Sequence, residues 1–136
     1  MSDGVGPGRQ QFDNTTAKEV ITMGFSLVIQ PNGEVYRINL NPGGDHLAQM
    51  REHLDCRLVD VVRLDESVDM WVDDEGMYNH PVNAGATLLA RTYGWTHQPY
   101  FGPVLICSAN EEGDSVDLDD LAGMAFMMRL SWAVKG

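Results

Sequence analysis

Positive charge is what this 136-residue chain has least of: 9 Lys and Arg stand against 20 Asp and Glu, a net charge of −11. Phosphate backbones and anionic membrane surfaces repel such a chain, which argues against direct nucleic-acid or membrane binding. Cysteine is scarce as well. Cys56 and Cys107 lie far apart with no CxxC and no ligand pair beside them, so two reduced, buried thiols are expected rather than a disulfide framework. No apolar run approaches the roughly 20 residues that span a bilayer. Met1 to Gln11 carries Gly, Pro and Gln where a secretory signal has an apolar block, so a cytoplasmic protein is expected. Catalytic signatures are missing too: there is no HExxH, no Gly-rich loop with a P-loop lysine, and no Ser or Cys in a nucleophile elbow. These absences argue against an enzyme, and they point to no cofactor and no metal.

What is present is enough chain for one domain, which at this length buries roughly two thirds of the surface its unfolded state exposes. Residues 1–17 hold several Gly, one Pro and only Val5 and Phe12 as sizeable apolar groups, so a disordered tail is expected there. From Val20 the pattern changes. Phe25, Leu27 and Ile29 alternate with Ser26, Val28 and Gln30, Pro31-Asn32-Gly33 interrupts, and Tyr36, Ile38 and Leu40 alternate again. Two such runs around Asn-Gly predict a β-hairpin. Asp45 is placed to cap a helix with Leu47, Met50 and Leu54 on one face.

The stretch from Arg57 to Arg91 organises the rest. Arg57 to Leu64 predicts a third strand and Met70-Trp71-Val72 the centre of a fourth, with Asp73-Asp74-Glu75-Gly76 as an acidic turn in which Gly76 supplies positive φ. Pro81 breaks the sheet, Asn83 caps a helix over 84–93, and Gly94 ends it. Gly102-Pro103 launches a fifth strand over 104–108. Asp117-Leu118-Asp119-Asp120 has the form of a capping box for a last helix, whose buried stripe is expected to be Leu121, Met124, Ala125, Met128 and Trp132. The prediction is a single α+β domain over 18–136, with a mixed, mostly antiparallel sheet of about five strands and three helices in the order ββαββαβα.

The hairpin turn at Pro31-Asn32-Gly33, the run Trp71-Val72-Asp73-Asp74-Glu75-Gly76, then Pro81-Val82-Asn83 and Gly102-Pro103-Val104 resemble a small family catalogued as domain of unknown function 3846. The resemblance covers about residues 25–130 and leaves out the tail. It implies a compact accessory domain of actinobacteria and their phages, carried on phage or mobile-element genomes and acting on host machinery, and it implies no reaction. Similar sequences often have Leu-Pro where this chain has His80-Pro81, so the resemblance implies no role for His80.

The acids are unevenly placed. Asp55, Asp60, Asp65, Glu66, Asp69, Asp73, Asp74 and Glu75 fall in one segment, and Glu111, Glu112, Asp114, Asp117, Asp119 and Asp120 in another without a base. Charge runs commonly do no more than solvate turns. The functional expectation is a small interaction protein that presents Asp65, Glu66, Asp69, Asp73, Asp74, Glu75, Glu111, Glu112 and Asp114 to a basic host protein, in its sharpest form as a nucleic-acid mimic. A second expectation is a nucleotide-like ligand held at the helix start by His80, Asn83 and Thr87, with Arg91, Trp95 and Tyr100 closing over it. The bland alternative is that Asn83 only caps the helix and the aromatics fill the core edge. An uncharacterised enzyme is a third reading. His46 and His53, seven residues apart, could share one helix face, but Cys56 lies beyond the helix end and no further ligand is identified, and the acidic turn lacks the alternating ligands of an EF-hand. A homodimer through the hairpin edge or the Met-rich last helix, with Met124, Met127 and Met128, is also open.

Overall fold

The computed structural model describes residues 24–41 and 46–135, with side chains through Leu130. The expected tail, the cap at Asp45 and the side chain of Trp132 lie outside that description. The hairpin forms as predicted, from β1 (Ser26–Ile29) and β2 (Val35–Ile38). Gly33 takes φ +95°, and Asn32 Oδ1 accepts a hydrogen bond from the Glu34 amide at 3.0 Å, so both turn residues contribute what the Asn-Gly pair supplies.

The next elements are α1 (His46–Leu54), β3 (Val59–Arg63), β4 (Val68–Asp73), the one-turn α2 (Gly76–Asn79) and α3 (Ala84–Thr92). They are followed by β5 (Val104–Ala109), β6 (Ser115–Val116) and α4 (Asp120–Lys135). All strand pairings are antiparallel, in the order β2-β1-β5-β4-β3, with β6 added to the end of β5. This is a single α+β domain. The sheet lies between α1 on one face and α3 with α4 on the other. On the first face Met50 and Leu54 pack with Val28, Leu105 and Cys107; on the second Leu27, Ile29, Met70, Val104 and Ile106 meet Ala86, Leu89, Phe126 and Leu130. Strands β1, β4 and β5 are buried on both faces, which is why their sequences read as near-continuous apolar runs. Leu47, expected on the buried face of α1, is exposed.

Three local expectations are corrected. Gly76 has no positive φ; it opens α2, and glycine is required for space, since a Cβ there would stand 2.7 Å from the Phe101 carbonyl oxygen. Asp117 is not part of a capping box. Its carboxylate accepts from Ser26 Oγ at 2.7 Å, Leu40 N at 3.1 Å and Asn39 Nδ2 at 3.1 Å, tying α4 to the hairpin, while Asp119 Oδ1 caps the helix by accepting from Ala122 N at 2.8 Å. The buried stripe of α4 is the opposite one. Gly123, Phe126 and Leu130 face inward, and Leu121, Met124 and Met128 face out at 81%, 53% and 64% exposure, with Ala125 exposed between them. The cause is Phe25. Its ring packs where a Cβ on Gly123 would stand, 2.6 Å from it, so the helix seats on its glycine side.

Candidate functional site, an acidic pole

Strand pairing decides which acids meet. Because β4 and β5 run antiparallel with Val68 opposite Ser108, the turn that enters β4 lies at the end where β5 leaves the sheet. Ala109 N and Ser108 Oγ both donate to the Ser67 carbonyl, at 3.1 and 2.7 Å, pinning the Asp65–Glu66 turn to the root of the Glu111–Asp114 hairpin. Strand β1 begins at the same end, and Phe25 N donates to Leu118 O at 3.0 Å, which brings in Asp119 and Asp120. Asp65, Glu66, Glu111, Glu112, Asp114, Asp119 and Asp120 are all exposed. They form one acidic pole.

The turns that carry these acids are held from within. Asp65 Oδ1 accepts from Ser67 N and Val68 N, both at 2.9 Å. Asn110 Oδ1 accepts from Glu112 N at 3.0 Å and Asp114 N at 2.9 Å, and Gly113 takes φ +86°. The carboxylates therefore stand on fixed backbone, which lowers the ordering cost of a contact. No Lys or Arg occurs between Arg91 and Arg129, so the hairpin and the start of α4 have no base of their own. Of the nearby bases, Arg37 lies over the Phe25 ring at 4.4 Å and Arg63 pairs with Asp69 at 3.2 Å.

Other acids of the expected face are elsewhere. Asp69 and Asp73 are withdrawn from the surface, at 4% and 5% exposure, because their positions in β4 share the parity of Trp71 and turn toward the α1 face. Asp73 Oδ1 accepts from Glu75 N at 2.8 Å and its Oδ2 lies 3.3 Å from His80 Nε2. Asp74 and Glu75 sit beyond the far end of β4, about 20 Å along the strand from the pole, and Glu75 pairs with Arg57 at 2.9 Å. Asp119 and Asp120, part of the second acidic run but not of the expected face, belong to the pole because the Phe25–Leu118 pairing places them there.

The residues expected around a nucleotide-like ligand separate into two groups. Asn83 is wholly buried: Nδ2 donates to Ile29 O at 2.9 Å and Gly102 O at 2.8 Å, and Oδ1 accepts from Ala86 N at 3.0 Å. Thr87 Oγ1 donates to Asn83 O and accepts from Tyr100 N, at 2.8 and 2.9 Å. The start of α3 is thus knitted to β1, to Gly102 and to Tyr100 by protein groups. Arg91 lies at the other end of α3, about 12 Å along the axis from Asn83, and Trp95 Nε1 donates to Arg63 O at 3.1 Å. His80 faces Asp73 and the Gly102 backbone. The six side chains do not converge on one cavity.

Burial pushes the Cys107 thiol from 9.0 to about 12, and burial followed by the charge of Asp73 pushes Cys56 to about 11, so neither is an activated nucleophile. Among the described residues no three His, Cys, Asp or Glu are grouped to hold a metal ion. His46 Nε2 lies 2.8 Å from Asn41 O and His53 Nδ1 lies 3.4 Å from the Tyr36 hydroxyl.

Against known proteins, residues 23–130 match the family described as Domain of unknown function (DUF3846). No curated protein and no solved structure matches the chain.

Proposed function

The chain belongs to the DUF3846 family, and from that premise we propose that it is an intracellular interaction module whose acidic pole binds a basic protein. The observation that carries this reading is the convergence of seven exposed acids from three separated segments, 65–66, 111–114 and 119–120, on one end of the sheet. Mutual repulsion among them weakens the fold at low salt, so a cluster of this size on preorganised turns suits a partner of opposite sign. The phage and mobile-element setting implied by the resemblance makes a host protein the partner in this reading. Its sharper form is mimicry of nucleic acid, in which the pole's carboxylates occupy a groove that otherwise takes phosphates. Asp74 and Glu75 are too far along β4 to extend the same surface. No helix among the described residues is long and apolar enough to cross a membrane.

The test is affinity capture from a bacterial extract with three baits. They are the native chain, a pole variant (Asp65→Asn, Glu66→Gln, Glu111→Gln, Glu112→Gln, Asp114→Asn) and a control neutralised at the other end (Asp60→Asn, Asp74→Asn, Glu75→Gln). A basic protein held by the native chain and the control, lost with the pole variant and released at about 0.5 M salt, supports the reading. Equal capture by all three baits, or none by any, contradicts it.

A further inference from the structure

The α4 helix carries an apolar face that no described residue covers. Leu121, Met124, Ala125 and Met128 stand at i, i+3, i+4 and i+7, so their side chains form one continuous stripe along two turns. The same helix buries Gly123, Phe126 and Leu130 on its other side, so among the described residues it is packed on that side while a second apolar stripe stands exposed. Three large apolar side chains at more than half exposure in a row are not scattered surface residues.

The setting of the stripe specifies its occupant. It starts beside Asp119 and Asp120, within the acidic pole, and the nearest base along the helix, Arg129, is turned aside: its guanidinium donates to the Tyr93 hydroxyl at 2.9 Å and lies over the Tyr93 and Phe126 rings. A second copy of this chain would bring its own −11 charge to the contact, which like-charge repulsion opposes. A partner with an apolar face and Lys or Arg beside it satisfies both halves of the surface. Methionine, unbranched and adaptable, suits such a contact, and anchors at i, i+3, i+4 and i+7 are the pattern that two packed helices read from one another.

The geometry points to the Leu121–Met124–Met128 stripe, together with the adjoining acids, as the docking surface for a basic amphipathic helix of the partner protein. This rests on the acidic-pole reading and adds to it the shape of the partner. The partner helix lays its apolar residues across α4 and sets its cationic flank over Asp119 and Asp120. Charge governs encounter and salt dependence, and the stripe governs how long the complex lasts.

The experiment titrates the full chain into two fluorescent peptides of about 18 residues, long enough for five helical turns. Both have the same Lys and Leu composition; in one the leucines align on a helical face and in the other they are scrambled. The aligned peptide should bind about tenfold tighter or more. The triple variant Leu121→Gln, Met124→Gln, Met128→Gln should remove that difference while leaving residual salt-sensitive binding. Its thermal midpoint should stay within about 2 °C of the native one, because the three side chains are exposed. Equal binding of both peptides to the native chain overturns the stripe and leaves the pole intact, and no binding of either at low salt overturns both. A dimer in sedimentation that the triple variant dissociates would assign the stripe to a second copy. Faster tryptic cleavage at Lys18 in the triple variant would assign it to the chain's own first residues. Either result overturns the proposal.

Discussion

His80 Nε2 stands 3.3 Å from Oδ2 of Asp73, a carboxylate whose side chain is wholly buried. Neither atom makes a hydrogen bond among the described residues, and Gly102 packs so closely that a Cβ on it would come within 2.7 Å of the imidazole. The pair therefore joins the end of β4 to the segment between α2 and α3, and the turn before β5 packs over it. Replacing the imidazole by His80→Leu leaves a buried carboxylate oxygen facing apolar atoms, which costs about 1–3 kcal/mol. Asp73→Asn in the His80→Leu background should recover part of that loss. Urea unfolding of the two single variants and the double variant gives the coupling energy; additive losses would show that the two groups do not interact.

Asn83 should tolerate no replacement. Asn83→Asp puts a carboxylate against the Ile29 and Gly102 carbonyl oxygens, where the amide now donates twice. Loss of both bonds together with a buried unpaired charge predicts destabilisation of about 3 kcal/mol or more, and Asn83→Ala somewhat less. Chemical denaturation measures both. A near-native midpoint for Asn83→Asp would mean that the site opens to water.

For Gly123→Ala two effects compete. Alanine is favoured over glycine in a helix interior by about 1 kcal/mol, but its Cβ would stand 2.6 Å from the Phe25 ring, which is buried. Displacing a packed aromatic costs about 1–3 kcal/mol. The strain wins, so the variant should melt lower than the native chain, and a higher midpoint would show that Phe25 moves freely.

The two thiols predict a sign for stability at high pH. Their folded-state pKa values are raised, from 9.0 to about 11 for Cys56 and about 12 for Cys107. Between 9.0 and those values the folded chain keeps protons that the unfolded chain has lost, so the thiols' contribution is intact below pH 9.0 and falls as pH rises through the window. Cys107→Ala should flatten the fall, seen by melting from about pH 8 to about pH 11. At neutral pH both thiols should alkylate far more slowly than free cysteine, and rapid labelling of Cys56 would contradict its environment.

Local signals in the sequence carried much of this architecture. Asn32-Gly33 made the hairpin, and Asn83 with Gly94 bounded α3, because turn and cap chemistry act over a few residues. Tertiary choices were not legible. The apolar residues of α4 run around the whole helix, so periodicity alone could not select its buried side; Phe25, far away in the chain, does that through Gly123. Burial of Asp69 and Asp73 follows from strand parity against α1, and the pole follows from pairing Ser67 with Ala109 and Phe25 with Leu118. None of these pairings leaves a mark on nearby residues.

The acidic pole is tested most directly by where a cationic probe lands. The measurement is a titration of the isotopically labelled full chain with an oligolysine peptide of about eight residues at low salt, followed by amide chemical shifts. Shifts should concentrate at residues 65–67, 110–114 and 119–121 and vanish at high salt or in the pole variant. Shifts centred on Asp74 and Glu75, or spread evenly over the acids of the chain, would contradict the claim that the fold gathers its charge into one binding surface.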